Sequence, residues 1–269
     1  MRTAGDEAGE AGRERALADL GTRLVGRYVR WHDSLPSTND LAVRLTEIPV
    51  PEGTVIGAEE QTAGRGRWGR PWASPRGGIW LSVILRPGLP ADRMPVVGLA
   101  AAVAAAQAIR ETTGLPARVK WPNDVLVHGQ KVVGILAEAT PGAEWVVVGV
   151  GINANIAQEA LPHTPGYPAT SLQVLLGHPV DRGSLIRALL RGLDRGYELL
   201  GSAGVRAVLA RWREMADTLG RKVQVEMPNT LVQGVAHDID ETGALLVRCD
   251  DGAVRKVIAG DLRIREAGR

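Results

Sequence analysis

The chain has 269 residues, of which 45% are apolar and 23% charged, a balance typical of a soluble globular protein with a substantial buried core. Its net charge of +2 argues against a protein that coats bulk nucleic acid. The single cysteine, Cys249, excludes an internal disulfide. No targeting pattern or apolar run of membrane-spanning length is evident, so we expect a cytoplasmic protein without membrane contact.

The first 27 residues are expected to be peripheral to the fold. Residues 1–12 are small, charged and rich in glycine, which predicts a flexible terminus. Leu17, Leu20 and Leu24 then recur at helical spacing and predict a short amphipathic helix over 13–25. This segment is too short for a folded helix-turn-helix module, so we expect no DNA-binding head.

Residue patterns along the rest of the chain predict an α+β fold with a mixed or antiparallel sheet. Helices are predicted at 37–46, 93–112, 181–200 and 204–216, and strands at 28–35, 54–60, 78–85, 118–121, 125–128, 132–138 and 144–151. Ser37 is the predicted N-cap of the first helix, and Gly129-Gln130 is the predicted turn of a hairpin. After Gly220, alternating strands at 222–226, 230–238, 244–249 and 254–258 predict a small antiparallel β-barrel.

Residues 61–78, QTAGRGRWGRPWASPRGG, form what we call the arginine–glycine loop, with four arginines, five glycines and two tryptophans. Such a segment cannot form a core strand or a stable helix, because glycine is costly to order and arginine resists burial. It is typical of a loop that closes on a flat anionic ligand. Glycine lets the backbone approach, arginine binds phosphate or carboxylate, and tryptophan offers a stacking face. A solvated basic loop and a nucleic-acid contact are the alternatives.

The sequence KWPND at 120–124 falls where one predicted strand ends and the next begins. Pro122 ends the first strand, so Asn123 and Asp124 fall in a turn. There they either cap backbone amides or, in the case of Asp124, bind Mg²⁺ beside a nucleotide. Lys131 precedes an apolar run and is either a solvated strand end or a cation that reaches into a pocket to neutralise a carboxylate and a phosphate.

Two further polar or glycine-rich segments are candidates for binding. Ser37, Thr38 and Asn39 either cap a helix or bind a neutral polar head such as an amide or a urea. The sequence GVGIN at 149–153 superficially matches a dinucleotide fingerprint, but the prolines that follow it exclude the required helix. Close approach of the backbone to a ligand, or a turn at the end of a strand, explains these glycines better. No P-loop, serine nucleophile elbow or metal-binding His/Cys spacing is present.

Four of these blocks together resemble the biotin protein ligases, which attach biotin to carboxylase carrier domains. They are STN at 37–39, QTAGRGR at 61–67 continuing to Trp72, KWPND at 120–124 with 131–134, and GVGIN at 149–153. The resemblance implies a catalytic domain over 28–218, similar to that of class II aminoacyl-tRNA synthetases, and an SH3-like C-terminal domain over 219–269. Some relatives are also repressors. Because we expect no DNA-binding head in this chain, we expect it to be a ligase only.

The resemblance also implies a two-step reaction and assigns residues to it. The biotin carboxylate would join the α-phosphate of ATP with release of pyrophosphate, and a lysine of a biotin carboxyl carrier protein would then attack the biotinyl-adenylate. The implied catalytic residues are Lys131, Arg67 and Asp124, with Asp124 as the ligand of Mg²⁺. The residues implied to bind biotin are Ser37, Thr38, Asn39, Gln61, Gly64, Arg65, Gly66, Arg67, Lys131, Gly134, Leu136 and Gly151. Those implied to bind the nucleotide are Arg65, Arg67, Trp72, Lys120, Asn123, Lys131 and Asn153.

Within these sets, Trp72 would pack on the adenine, and Arg65 and Arg67 would lie beside the carboxylate and the phosphates. The expected partners are biotin, ATP and the carrier protein, and the enzyme would be a monomer or a homodimer. A lipoate-type acyl ligase is one alternative, although the Arg-Arg-x-x-Gly-Gly-Gly pattern of that family is absent. A nucleic-acid-binding protein is the other, and it would leave Lys131 and the segment 120–124 unexplained.

Overall fold

The computed structural model describes Leu17 and residues 20–162, 168–227 and 230–265. A seven-stranded sheet in the order β1-β2-β3-β7-β6-β5-β4 forms the centre of the larger part of the chain. Only β1 and β2 pair in parallel, and the remaining neighbours pair antiparallel. The predicted mixed sheet is therefore confirmed. Its strands are β1 Val29–Leu35, β2 Val55–Gln61, β3 Ile79–Leu85, β4 Arg118–Lys120, β5 Asp124–Val127, β6 Gln130–Ala139 and β7 Val146–Ile152.

Four α-helices accompany this sheet in the described ranges: α1 Thr38–Leu45, α2 Pro95–Thr113, α3 Leu172–Leu176 and α4 Arg182–Met215. Helix α1 begins as predicted, because the Ser37 side chain accepts a hydrogen bond from the Asp40 amide. Helix α4 is interrupted at Gly204, which has the left-handed φ of 77°, so the two predicted helices follow one another around this residue. The short α3 was not predicted.

Helix α2 is apolar on nearly every side because it is covered by β6 and β7 on one side and by α4 on another. The segment Ala91–Thr113 is long and apolar enough to cross a membrane by composition, but 72% of its most apolar window is buried inside the protein. That burial is typical of the central helix of a globular core.

The C-terminal part is a five-stranded antiparallel sheet in the order β11-β10-β9-β8-β12. Its strands are β8 Lys222–Met227, β9 Thr230–Ile239, β10 Leu245–Arg248, β11 Val254–Val257 and β12 Asp261–Ile264. The first four match the predicted strands, whereas β12 was missed. Trp121 joins this sheet to the main body, because its buried indole N–H donates to the Gly243 carbonyl at 3.0 Å.

The structure corrects two local expectations. The hairpin between β5 and β6 turns at His128 and Gly129, both with positive φ (50° and 77°), one residue earlier than predicted. The predicted N-terminal helix does not extend to Val25, because residues 20–25 are not helical. The rest of that helix lies largely outside the described residues, and the predicted flexible terminus lies wholly outside them.

A buried carboxylate takes the place of helical hydrogen bonds in this N-terminal segment. Asp194 of α4 accepts the amide N–H groups of Arg23, Leu24 and Val25 at 2.8–2.9 Å. The side chain is only 8% exposed. Charge-assisted hydrogen bonds of this kind are among the stronger ones in proteins, so this contact fixes the chain just before β1.

We therefore expect Asp194→Ala to lower the free energy of unfolding by about 3 kcal/mol, because three amide groups lose a charged acceptor. Urea denaturation measures the change. Asp92→Ala is the control, since Asp92 is exposed, and it should change stability by less than about 0.5 kcal/mol. Equal stability of the two variants would contradict the anchoring role of Asp194.

Candidate active site

A cavity of about 500 Å³ lies between the main sheet, the arginine–glycine loop and the C-terminal sheet. All the predicted site residues except Gly64 and Asn153 line it. The first segment of the chain to reach it is the start of α1, and the last is the start of β12. Residues far apart in sequence therefore meet around one space.

One end of the cavity carries neutral polar groups joined by hydrogen bonds. The Thr38 amide donates to Gln61 Oε1 at 2.8 Å, and the Asn39 Nδ2 donates to Glu138 Oε2 at 2.8 Å. The hydroxyl of Ser82, fully buried in β3, lies 2.6 Å from Asn39 Oδ1 and 2.8 Å from Thr38 Oγ1. Because Asn39 is held from both sides, its amide has one defined orientation. The polar patch predicted at 37–39 is thus a fixed hydrogen-bonding surface as well as a helix start.

The floor of the cavity is made of glycines on adjacent strands. Gly134 of β6 pairs with Gly151 of β7, and Leu136 pairs with Gly149. A Cβ at Gly134 would lie 2.9 Å from the Trp72 ring, and one at Gly151 would lie 2.6 Å from Trp72 Nε1. These glycines are required because the indole lies directly on the strands. The expected packing of Trp72 on an adenine stays a prediction, and in this structure one face of the indole covers the glycine floor.

Arg65 is bound by two carboxylates. Its guanidinium makes a two-pronged contact with Glu138 at 2.7 and 2.9 Å and a further contact with Asp40 at 2.6–2.8 Å. The hydrogen bonds that Arg65 donates to Glu138 raise the pKa of Arg65 against the effect of burial, and Asp40 adds to the rise. Arg65 therefore ties the start of the loop to α1 and β6. The expected contact of Arg65 with the biotin carboxylate and the phosphates stays a prediction, which these ion pairs oppose because the charge of Arg65 is already more than balanced.

The opposite end of the cavity carries two lysines that share one carboxylate. Asp124, at the start of β5, lies 2.6 Å from the ammonium of Lys131 and 3.6 Å from that of Lys120. Burial alone would raise the pKa of Asp124, but the charges of Lys131 and Lys120 outweigh it and hold that pKa below its ordinary value. Burial lowers the pKa of Lys120, although Asp124 favours its charged form. The three groups together carry a net positive charge in their ordinary states.

Arg67 differs from the other arginines of the loop. Its guanidinium contacts only neutral acceptors, the Asn123 Oδ1 at 3.4 Å and the Gly260 carbonyl at 3.3 Å, and no described carboxylate pairs with it directly. Burial lowers its pKa, while the nearby charges of Asp261 and Asp124 favour the charged form. An incoming anion would therefore meet Arg67 as a largely desolvated cation whose charge no direct partner balances.

The C-terminal sheet supplies part of the cavity wall, which the sequence did not indicate. Gly260, Asp261, Leu262 and Arg263 line the cavity, and Arg70 of the loop is ion-paired with Asp261. Strand β12 was not predicted from the sequence, and the part of the site that it supplies was therefore not predicted either. The one available signal was the alternating pattern after Gly260, which is too short to predict a strand with any specificity.

The two predicted residues outside the lining have structural roles. The Gly64 carbonyl accepts the Trp72 amide at 2.8 Å, and a Cβ at Gly64 would lie 2.6 Å from the Trp72 carbonyl oxygen. Asn153 is 3% exposed, and its side chain donates to the Thr170 carbonyl at 3.0 Å. The nucleotide contact of Asn153 stays a prediction, which this hydrogen bond opposes because the amide links β7 to the segment before α3.

The described residues do not fit a magnesium ion held by protein ligands. They include no cluster of three or more His, Cys, Asp or Glu side chains that could hold a metal. Asp124 and Asp261, the carboxylates among the described lining residues, are ion-paired with lysine and arginine respectively. An ion bound by Asp124 would have to displace two ammonium groups. Magnesium at Asp124 thus remains a prediction that these contacts oppose.

The cavity thus combines a hydrogen-bonding end, where Asp40 and Glu138 outnumber Arg65, with a glycine floor and a cationic end. Residues 31–155 match the biotin/lipoate A/B protein ligase family, and residues 218–262 match the biotin protein ligase C-terminal domain. A biotin–[acetyl-CoA-carboxylase] ligase of Mycobacterium tuberculosis is 37% identical over 263 residues, covering 93% of this chain and 94% of that relative. The bifunctional ligase/repressor BirA of Bacillus subtilis is 36% identical over 249 residues, covering 91% of this chain and 76% of that relative. The chain therefore belongs to the biotin/lipoate A/B protein ligase family.

A solved structure supports the same assignment. The biotin protein ligase from Aquifex aeolicus in complex with biotin and ATP matches with a TM-score of 0.77 and 27% identity. The match covers 90% of this chain and 100% of the other. The predicted family and α+β fold class are thereby confirmed.

The shared carboxylate leads to a stability prediction. We expect Asp124→Asn to lower the free energy of unfolding by about 3 kcal/mol near pH 7, because two lysines lose their common partner. The pKa of Asp124 is depressed in the fold, so its contribution is present above the unfolded pKa of about 4 and is lost as pH falls through the folded value. The difference between wild type and variant should therefore shrink below about pH 4.

The matched control is Asp217→Asn. Asp217 also faces two basic side chains, Arg221 at 2.9 Å and Arg118 at 4.0 Å, but both arginines are well exposed. Its loss should cost less than about 1 kcal/mol. Urea denaturation at several pH values checks both variants, and an Asp124→Asn deficit independent of pH would refute the charge argument.

Proposed function

We propose that this protein is an ATP-dependent biotin–protein ligase that activates biotin as biotinyl-5′-AMP and transfers it to a lysine of a biotin carboxyl carrier domain. The observation that carries the proposal is the opposed chemistry of the two ends of one cavity. Biotin has a neutral ureido head and an anionic carboxylate tail, with apolar atoms between them. The cavity offers neutral hydrogen-bonding groups, a glycine floor and unbalanced cations in the same order.

The ureido head would bind at the neutral end, where Ser37, Thr38, Asn39 and Gln61 present fixed donors and acceptors. The net charge at this end of the cavity supports binding of biotin with its ureido head here and its carboxylate at the other end. Arg65 is outnumbered there by the carboxylates of Asp40 and Glu138, so this end disfavours the carboxylate of biotin. The thiophane ring and valeryl chain would then lie against the Trp72 indole, which covers Gly134 and Gly151.

The cationic end would bring together two anions that repel each other, the biotin carboxylate and the α-phosphate of ATP. Lys131 would lie between them, and Arg67 would stabilise the charge that develops as the oxygen–phosphorus bond forms and pyrophosphate leaves. Asp124 acts by holding the Lys131 ammonium at a fixed position, 2.6 Å from its carboxylate. In the second step the acceptor amine attacks the acyl carbon, AMP leaves with the bonding electron pair, and the amine gives up a proton.

The proposal has a direct test in ATP–pyrophosphate exchange with purified protein. Exchange should require biotin and should not occur with lipoate, which lacks a ureido head. Lys131→Ala should reduce biotin-dependent exchange by about 10²-fold or more, because it removes a charge that acts in the transition state. The variant should fold, since Asp124 keeps Lys120 as a partner. Exchange without biotin, or unaltered exchange in Lys131→Ala, would overturn the assignment.

Arg67 should matter for retaining the intermediate. We expect Arg67→Gly to bind biotinyl-5′-AMP more weakly and to release it at least about tenfold faster, because a half-buried cation at the phosphate is lost. Stopped-flow or filter-binding measurement of the adenylate off-rate tests this. Arg76→Gly is the matched control: it removes the same charge from the same loop, but Arg76 does not line the cavity and pairs with Asp33 at 2.6 Å. Equal off-rates for the two variants would contradict the role of Arg67.

A further inference from the structure

The tip of the arginine–glycine loop is a tight turn that displays one tryptophan. The Gly66 amide donates to the Arg70 carbonyl at 2.7 Å, and the Trp72 amide donates to the Gly64 carbonyl at 2.8 Å. These bonds close a small hairpin with Trp68 and Gly69 at its end. Both tip residues have left-handed backbone angles, with φ of 57° for Trp68 and 71° for Gly69.

Trp68 is an unusual residue for this backbone conformation. Left-handed φ is common for glycine and tolerated by asparagine, but it is a clear outlier for a bulky side chain. Its indole is also 54% exposed, so burial in this protein does not compensate for the strain. Strain of this kind, on an exposed loop beside a catalytic cavity, is a reason to look for a function of the side chain.

The exposed ring is held in place by arginines that line the cavity. The Arg67 guanidinium lies 4.5 Å from the Trp68 ring centroid, and that of Arg70 lies 5.1 Å from it. Arg70 is in turn ion-paired with Asp261 of the C-terminal sheet. The indole is therefore presented at the mouth of the cavity in a fixed position, so little side-chain freedom would be lost if a partner covered it.

We propose that Trp68 is a docking contact for the acceptor protein, covered by the segment that carries the target lysine. This rests on the proposed function, which requires a protein lysine to reach the acyl carbon inside the cavity. A lysine has a stem of only four methylenes, so the backbone that carries it must come to the cavity mouth. Exposed, rigidly held tryptophan and arginine side chains are the types that contribute most to protein–protein binding.

The surroundings of the ring indicate what that segment looks like. Arg67 stacks on Trp68, and its charge is needed for the phosphate of the adenylate during transfer. An acceptor segment with an apolar residue over the indole fits this surface. The proposal thus assigns Trp68 to recognition of the second substrate and leaves formation of the adenylate to the residues inside the cavity.

The test separates the two substrates. Adenylate formation is followed by pyrophosphate release in the presence of hydroxylamine, a small nucleophile that attacks the acyl carbon and releases AMP without docking. Transfer is followed with a biotin carboxyl carrier domain as acceptor, over a range of its concentrations. The variants are Trp68→Gly, which suits the left-handed backbone but removes the ring, and Trp68→Phe, which keeps an aromatic face. Tyr28→Ala is the control, because Tyr28 is 57% exposed and lies just before edge strand β1, away from the cavity.

We expect Trp68→Gly to raise the KM for the carrier domain by about fivefold or more, the size of effect that marks an important interface residue. Its hydroxylamine-dependent rate should equal that of wild type, while Trp68→Phe and Tyr28→Ala should resemble wild type in both assays. An unchanged KM for Trp68→Gly would overturn the proposal. So would an equal loss in the hydroxylamine assay, because Trp68 would then act by positioning Arg67. Failure of the proposed function is visible separately, as absence of biotin-dependent pyrophosphate release in the wild type.

Discussion

The cationic end of the cavity depends on one buried carboxylate, that of Asp124. It lies at the start of β5, between β4 and β6, and so can reach lysines at the end of one neighbour and the start of the other. Two unit charges 4 Å apart repel by about 4 kcal/mol in surroundings of intermediate polarity, so Lys120 and Lys131 could not share this space unaided. With Asp124 between them, the group keeps one net positive charge. The fold is thereby stable, and the site can still attract an anion.

In the arginine–glycine loop, carboxylates of the same protein likewise balance most of the positive charges. Arg65 ties its beginning to Asp40 and Glu138, and Arg70 ties its tip to Asp261 of the other sheet. These ion pairs are partly exposed, so each contributes modestly to stability, but together they fix the loop over the cavity. Only Arg67 is left facing neutral acceptors. The loop can therefore be rich in arginine and still present one specific anion-binding group.

The local features of this arrangement could be predicted from the sequence, and the long-range ones could not. Alternating and helical periodicity located most strands and helices, and the N-cap at Ser37 was correct, because these are set by neighbouring residues. The partners of Arg65 were not predictable, since Glu138 is 73 residues away and is brought close only by the pairing of the strands. The same holds for Arg70 and Asp261, which are 191 residues apart. A motif identifies which side chains meet a ligand, but it does not show which charges are already balanced within the protein.

That balance also favours a ligand pocket over a nucleic-acid surface. A surface that binds along a nucleic-acid phosphate backbone needs several arginines that are not ion-paired within the protein. These arginines must lie along an open groove. Here Arg65, Arg70 and Arg76 are each ion-paired with carboxylates of the same protein, and Arg67 lines the cavity. The remaining positive charge is concentrated at Arg67 and at the pair of lysines around Asp124. Such a site suits a few phosphate groups and a carboxylate that lie close together. Formation of an acyl-adenylate requires this arrangement, whereas binding of a nucleic-acid strand does not.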